Sequence, residues 1–171
     1  MISEAMEKAI NKQINAELYS AYYYYSMAAY LDNEGLEGMA NFMKAQATEE
    51  VEHAQKFYNY VDEQGGRVVL EGIDKPRTDF DSPRQIFELG LEHEKHVTSL
   101  INNLVTLALK ENDYATKTFL DWYVSEQVEE EATMDSIVSK FNIIGESGQG
   151  LLMLDAKLGE RSPAVASEDE E

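Results

Sequence analysis

The chain has three prolines, at positions 76, 83 and 163, and none falls inside four long stretches where apolar residues recur every three or four positions. Those stretches run over roughly 4–32, 36–63, 84–111 and 114–143. Proline removes a backbone donor and clashes with the preceding turn, so its absence over such spans leaves the helical period unopposed. Each stretch is longer than an ordinary globular helix and suits a four-helix bundle. Asp32-Asn33-Glu34-Gly35 separates the first from the second, and Gly65-Gly66 ends the second. Ser82-Pro83 caps and opens the third, and Asn112-Asp113 separates the third from the fourth.

Two of the breaks are short and imply antiparallel hairpins. The stretch 64–82 is different. A helix of about 28 residues is ~42 Å long, whereas this stretch, extended, reaches ~60 Å. It can cross the whole bundle and leave the second and third helices parallel. After Gly145, the segment Gly150–Gly159 predicts a short fifth helix with apolar residues at 151, 154 and 158. Such a helix is not stable alone and must dock on its own bundle or on neighbouring chains. One domain is expected over 1–160, with a disordered acidic tail over 161–171.

With 171 residues, 43% of them hydrophobic, the chain can bury one core. It has no Cys, which excludes disulfides, thiolate metal sites and iron–sulfur clusters. The N-terminus mixes charges from the start and no signal peptide is visible; no apolar run approaches a membrane span. A cytoplasmic protein is expected. The net charge of −19 argues against binding nucleic acid or anionic membranes and suits either a solubilising surface or a protein that gathers cations.

Each helix carries a seam with alternating gaps of three and four. They read Ile10, Ile14, Glu17, Ala21, Tyr24, Ala28, Leu31; then Leu36, Ala40, Met43, Ala47, Glu50, Ala54, Phe57, Val61. The third is Phe87, Gly90, Glu94, Val97, Ile101, Leu104, Ala108, and the fourth Leu120, Tyr123, Gln127, Glu130, Met134, Ile137, Phe141. Every seam is broken near its middle by an acid, the fourth by Gln127 and Glu130 together. The mid-points of four bundled helices meet at one level whichever way each helix runs. Glu17, Glu50, Glu94, Glu130 and Gln127 are therefore expected to converge, with His53 one turn from Glu50. No Lys or Arg lies in any seam to pair them, and four buried carboxylates together resist ionisation. A cation is required. Two divalent ions balance four carboxylates, one of which, Glu50, can bridge them. Carboxylates with one imidazole and no thiolate suit iron or manganese, and Glu50-Val-Glu-His53 is the Glu-x-x-His element of di-metal sites on four helices.

The stretches Gln13-Ile-Asn-Ala-Glu17-Leu-Tyr-Ser-Ala-Tyr22, Glu49-Glu50-x-x-His53 and Glu126-Gln127-Val-Glu129-Glu130-Glu-Ala132 resemble the non-haem ferritins of bacteria and archaea, over essentially the whole chain. The resemblance implies an all-α, ferritin-like four-helix bundle with one long crossover and a short fifth helix that packs on its symmetry mates around a cage axis. It implies that Glu17, Glu50 and His53 hold a first iron, that Glu50, Glu94 and Glu130 hold a second with Gln127 close by, and that Glu49, Glu126 and Glu129 form a third, adjacent site. It makes Tyr24 a partner of the diiron centre. It further implies a 24-subunit cage that oxidises Fe(II) with dioxygen or hydrogen peroxide and stores the ferric mineral.

Of the run Tyr22 to Tyr25 only Tyr24 lies on the seam; the others are expected in packing or subunit contacts. Trp122 aligns with Glu126 and Glu129, which suits either the third site or the core. His93 and His96 are expected at the surface or an interface, and Met6, Met27, Met39, Met43, Met134 and Met153 at or near apolar faces, filling gaps. Three rival functions are open to such a chain. Haem-containing bacterioferritin is disfavoured by Val51, where that family has its methionine haem ligand, and by Gln127-Val-Glu-Glu130 in place of a second Glu-x-x-His, so no haem is expected. A rubrerythrin-like diiron peroxidase couples its site to a four-cysteine iron centre, which a chain without Cys cannot supply alone, and another diiron-carboxylate oxidase stays an alternative. A non-catalytic helical scaffold needs only solvated acids.

Overall fold

The computed structural model describes residues 1–161 and comprises five helices: α1 (Glu4–Asn33), α2 (Glu37–Glu63), α3 (Pro83–Glu111), α4 (Tyr114–Ile144) and α5 (Gly148–Leu158). The helices start where polar side chains meet orphan amides. Ser3 accepts from Met6 N, Ser82 from Gln85 N with Pro83 in the first turn, Asp113 from Thr116 N and Ser147 from Gly150 N. Helix α2 begins after Leu36, which supplies no cap; Asp155 of α5 does so instead, its Oδ1 accepting from Met39 N at 2.8 Å.

The stretch 64–82 crosses the bundle as its length requires. Asn11 donates to the carbonyl of Arg67 at 2.9 Å, Asn15 to that of Gly72 at 3.2 Å, and Ser26 to that of Arg77 at 2.6 Å. The strap thus climbs α1 from its first turns to its last and delivers the chain to α3 at the end where α2 began. Helices α2 and α3 are parallel. Helices α1 and α2 form one hairpin, α3 and α4 the other.

Every seam residue named above is buried. The apolar ones fall into two clusters, one around Tyr24, Leu31, Met43, Phe87 and Phe141, the other around Ile10, Phe57, Val97, Leu104 and Tyr123. Between them lies the polar layer. Helix α5 docks on its own bundle through Leu154 and Leu158, with Leu151 half-buried. Gly38 makes the close approach possible: a Cβ there would stand 1.9 Å from the Asp155 carbonyl oxygen. Leu152 and Met153 face outward, so Met153 fills no gap within this chain. Among the described residues no helix is long and apolar enough to cross a membrane. Residues 162–171 of the expected acidic tail lie outside the described residues.

Candidate metal centre

Glu17, Glu50, Glu94 and Glu130 are 1%, 2%, 0% and 7% exposed, a degree of burial that carboxylates tolerate only with strong partners. One acid comes from each helix because each seam places one at mid-length. Glu17, Glu50 and His53 offer ligand atoms all within 4.8 Å of one another. His53 Nδ1 lies 3.3 Å from Glu50 Oε2. Glu17 Oε2 and Glu50 Oε2 are buried and have no hydrogen-bond partner. An unmet carboxylate oxygen in an apolar bundle is costly, and here there are two of them.

Hydrogen bonds hold the other two acids. Tyr24 donates its hydroxyl to Glu94 Oε1, and Gln127 donates its amide to Glu94 Oε2 at 3.1 Å. Gln127 also reaches the Glu94 carbonyl at 3.2 Å and Thr98 at 3.3 Å. The nitrogen of Gln127, not its oxygen, faces Glu94, so its role here is donor. Gln46 donates to Glu130 Oε2 at 2.7 Å.

Burial is the first cause of the electrostatics. It pushes the carboxyls of Glu17 and Glu50 well above the usual carboxylate range, with the charge of Glu50 adding to Glu17 and that of Glu94 adding to Glu50. Glu94 is raised by burial despite its two donors. Glu130 is raised to about 7, by burial and then by Glu94. Tyr24 is raised by burial and by Glu94, which keeps its phenol protonated as a donor. A layer like this holds protons until something of opposite charge replaces them.

Glu49, Glu126 and Glu129 behave differently. Glu49 is half-buried and paired to Arg161 at 2.6 Å, Glu126 is half-buried and Glu129 exposed; they do not gather into a tight ligand group. Trp122 is neither core nor beside those acids alone. It is 37% exposed, its ring lies edge-on to His53 with centroids 5.3 Å apart, and Lys56 Nζ sits 3.8 Å from the ring centre. His93, expected at the surface or an interface, packs against α1. It is half-buried, with Nε2 2.7 Å from Ser20 Oγ and its ring against Tyr19, Tyr23 and Tyr24. Burial lowers it to about 4, so it is neutral. His96 is exposed as expected.

Three functional side chains escaped the seam pattern. Gln13 and Gln46 each precede a seam acid by four residues. Gln13 donates to Glu17 Oε1 at 2.9 Å, while Gln46 reaches across to Glu130. A glutamine one turn before Glu17 and again before Glu50 is a signal the sequence carries. Arg161, expected in the tail, folds back onto α2, and no local pattern announces it.

The chain is similar to known proteins over most of its length. The sequence pattern of the ferritin-like domain matches residues 7–144. The chain is 42% identical over 162 residues to a probable bacterial non-heme ferritin-like protein of Haemophilus influenzae, covering 95% of this chain and 98% of that one. It is 43% identical to the bacterial non-heme ferritin of Bacteroides fragilis, covering 94% and 100%. An open-pore ferritin from the hyperthermophilic archaeon Archaeoglobus fulgidus superposes with a TM-score of 0.94 at 51% identity, covering 95% of this chain and all of that one. By fold, by the acids at the middle of its four helices and by these likenesses, the chain belongs to the ferritin family.

Proposed function

We propose that this protein is a cytoplasmic iron-storage ferritin with ferroxidase activity, in which each subunit oxidises Fe(II) at a dinuclear centre and passes Fe(III) to a mineral held in a 24-subunit cage. The observation that carries the reading is the buried group Glu17, Glu50 and His53, whose ligand atoms lie within 4.8 Å of one another and two of whose residues, Glu17 and Glu50, each keep a buried oxygen without a hydrogen-bond partner. Glu17, Glu50 and His53 take the first Fe(II). Glu50 bridges to the second, which Glu94 and Glu130 take on giving up their protons, the two ions standing about 3.5–4 Å apart. Each Fe(II) gives one electron to dioxygen, which leaves with two protons as hydrogen peroxide; peroxide as oxidant instead accepts the two electrons and two protons to give two waters. Gln13 and Gln46 orient Glu17 and Glu130, while Tyr24 and Gln127 orient Glu94, as outer partners of ligands do. Two Fe(III) carry more charge than four carboxylates neutralise, so hydroxide must join them, and the neutral Gln127 in place of a further acid favours their departure. Glu49, Glu126 and Glu129 supply carboxylates on the way out.

The test is addition of Fe(II) to metal-free protein without air, followed by air, read by near-ultraviolet absorption. A rapid rise that saturates at two irons per subunit and vanishes in Glu50→Ala is expected. No Glu50-dependent change would leave the chain a helical scaffold. Sedimentation at several salt concentrations reads the assembly.

A further inference from the structure

Beyond α5 the chain turns back, with Arg161 N donating to the Leu158 carbonyl at 3.3 Å. This brings the guanidinium onto one face of α2. It lies 4.6 Å from the centre of the Phe42 ring, donates through Nη1 to Gln46 Oε1 and through Nη2 to Glu49 Oε2 at 2.6 Å. Phe42, Gln46 and Glu49 follow at helical spacing, so one side chain spans two turns. The side chains of Arg161 and Glu49 are 27% and 15% exposed, and Gln46 is fully buried. Gln46 hands its other end to Glu130. A cation belonging to the chain is thus seated at the rim of a layer whose own seams carry none.

We propose that Arg161 is an internal counter-ion that occupies the cation position at Glu49 while the centre is empty of metal, and that a metal ion arriving at Glu49 displaces it and loosens the end of α5. The proposal rests on the reading that this layer gathers divalent metal, and it adds a competitor to it. A guanidinium and a metal ion held on the one carboxylate of Glu49 repel each other, so each weakens the hold of the other. Metal binding at Glu49 therefore carries the cost of expelling Arg161, which lowers the apparent affinity there by the fraction of time the guanidinium is in place. Its departure also frees the Gln46 carbonyl, so the amide that donates to Glu130 loses its fixed sense. Occupancy at Glu49 and the setting of Glu130 become linked. An ordinary structural ion pair, which only anchors α5, gives the opposite sign: removing it leaves metal affinity unchanged or lowers it.

The experiment titrates full-length metal-free protein with Co(II) or Zn(II) by calorimetry, comparing wild type with Arg161→Gln, Arg161→Lys, Glu49→Gln and Glu50→Ala. Arg161→Gln should bind the weakest equivalent roughly fivefold more tightly, the size of one charge about 4 Å away screened as in bulk water. Arg161→Lys, which keeps the charge, should stay near wild type, and Glu49→Gln should lose that equivalent. Amide exchange over 148–158 should quicken on Zn(II) saturation in wild type and not in Glu49→Gln. That comparison decides the matter even if Arg161→Gln detaches α5 by itself. Unchanged or weaker binding in a folded Arg161→Gln, or exchange over α5 indifferent to Zn(II), overturns the counter-ion role. If wild type shows no Glu50-dependent binding of either ion, the metal-centre reading itself fails; Glu50-dependent binding with no effect of Arg161 sinks the counter-ion alone.

Discussion

Glu50 and His53, one turn apart on α2, bring Oε2 and Nδ1 to 3.3 Å, yet that carboxylate oxygen has no hydrogen-bond donor. The imidazole and the carboxylate share a space without satisfying each other, which suits the metal-ligand roles proposed for them. Glu50→Ala should abolish the fast phase of Fe(II) oxidation, a loss on the order of 100-fold in initial rate, as expected for losing a ligand shared by both metals. Glu50→Gln, which leaves no cavity and spares the metal-free protein the cost of keeping that carboxyl protonated near neutral pH, should raise its melting temperature by a few degrees. Oxidation at the wild-type initial rate in the alanine variant would refute the bridging assignment.

The pH dependence follows from Glu130, whose carboxyl is raised from its ordinary 4.5 to about 7. Between those values the native state holds a proton that the unfolded chain has released. More protons are bound in the native state, so stability falls as pH rises through this window. His93, lowered to about 4, acts in the opposite sense below about 6.5, so the clean measurement is a difference. Relative to Glu130→Gln, metal-free wild type should lose up to about 3 kcal/mol between pH 4.5 and pH 7. Denaturant midpoints for both proteins at several pH values measure this; parallel curves would show that Glu130 titrates normally.

The bundle was legible because a seam repeats: each apolar position from Ile10 to Phe141 came from one period, and all are buried. The acids were legible because they break that period at one level. What the period could not give is contact between positions it places on different faces. Gln46 reaching Glu130, His93 drawn in against three tyrosines, and Arg161 returning to Glu49 all depend on how whole helices pack. The outward-facing Met153 escaped for the same reason, since hydrophobicity alone does not say which chain will cover it.

Gln127 points its amide nitrogen at Glu94. Gln127→Glu would replace that donor with a fifth acid and set two carboxylates against each other. The metal-free protein should lose about 1–3 kcal/mol of stability, the usual cost of an unpaired buried charge or lost donor. With iron the sign reverses: the extra ligand should hold Fe(III) and slow mineral growth several-fold while initial oxidation persists. Stopped-flow absorbance followed by mineral absorbance separates the two phases. Mineral growth at the wild-type rate would remove Gln127 from any part in iron release.

The contact between Gly38 and Asp155 governs the fifth helix. A methyl at Gly38 cannot fit 1.9 Å from the Asp155 carbonyl oxygen, and both groups are backbone-held. Gly38→Ala should therefore lift α5, although alanine favours the helix it enters. Lifting α5 withdraws the Asp155 cap from Met39 N and carries Arg161 away from Glu49. The four-helix bundle should remain, since its seams do not involve α5. Stability should drop by about 1–3 kcal/mol, from overpacking and a lost cap. Iron retention should fall by more than the oxidation rate, because in the proposed function storage depends on the cage and oxidation on the seam acids. Amide exchange over 148–158, sedimentation and iron content of Gly38→Ala measure the three effects together. Protected amides over α5 with full iron retention would show that the bundle can shift to admit the methyl, and the tight approach at Gly38 would then have no bearing on assembly.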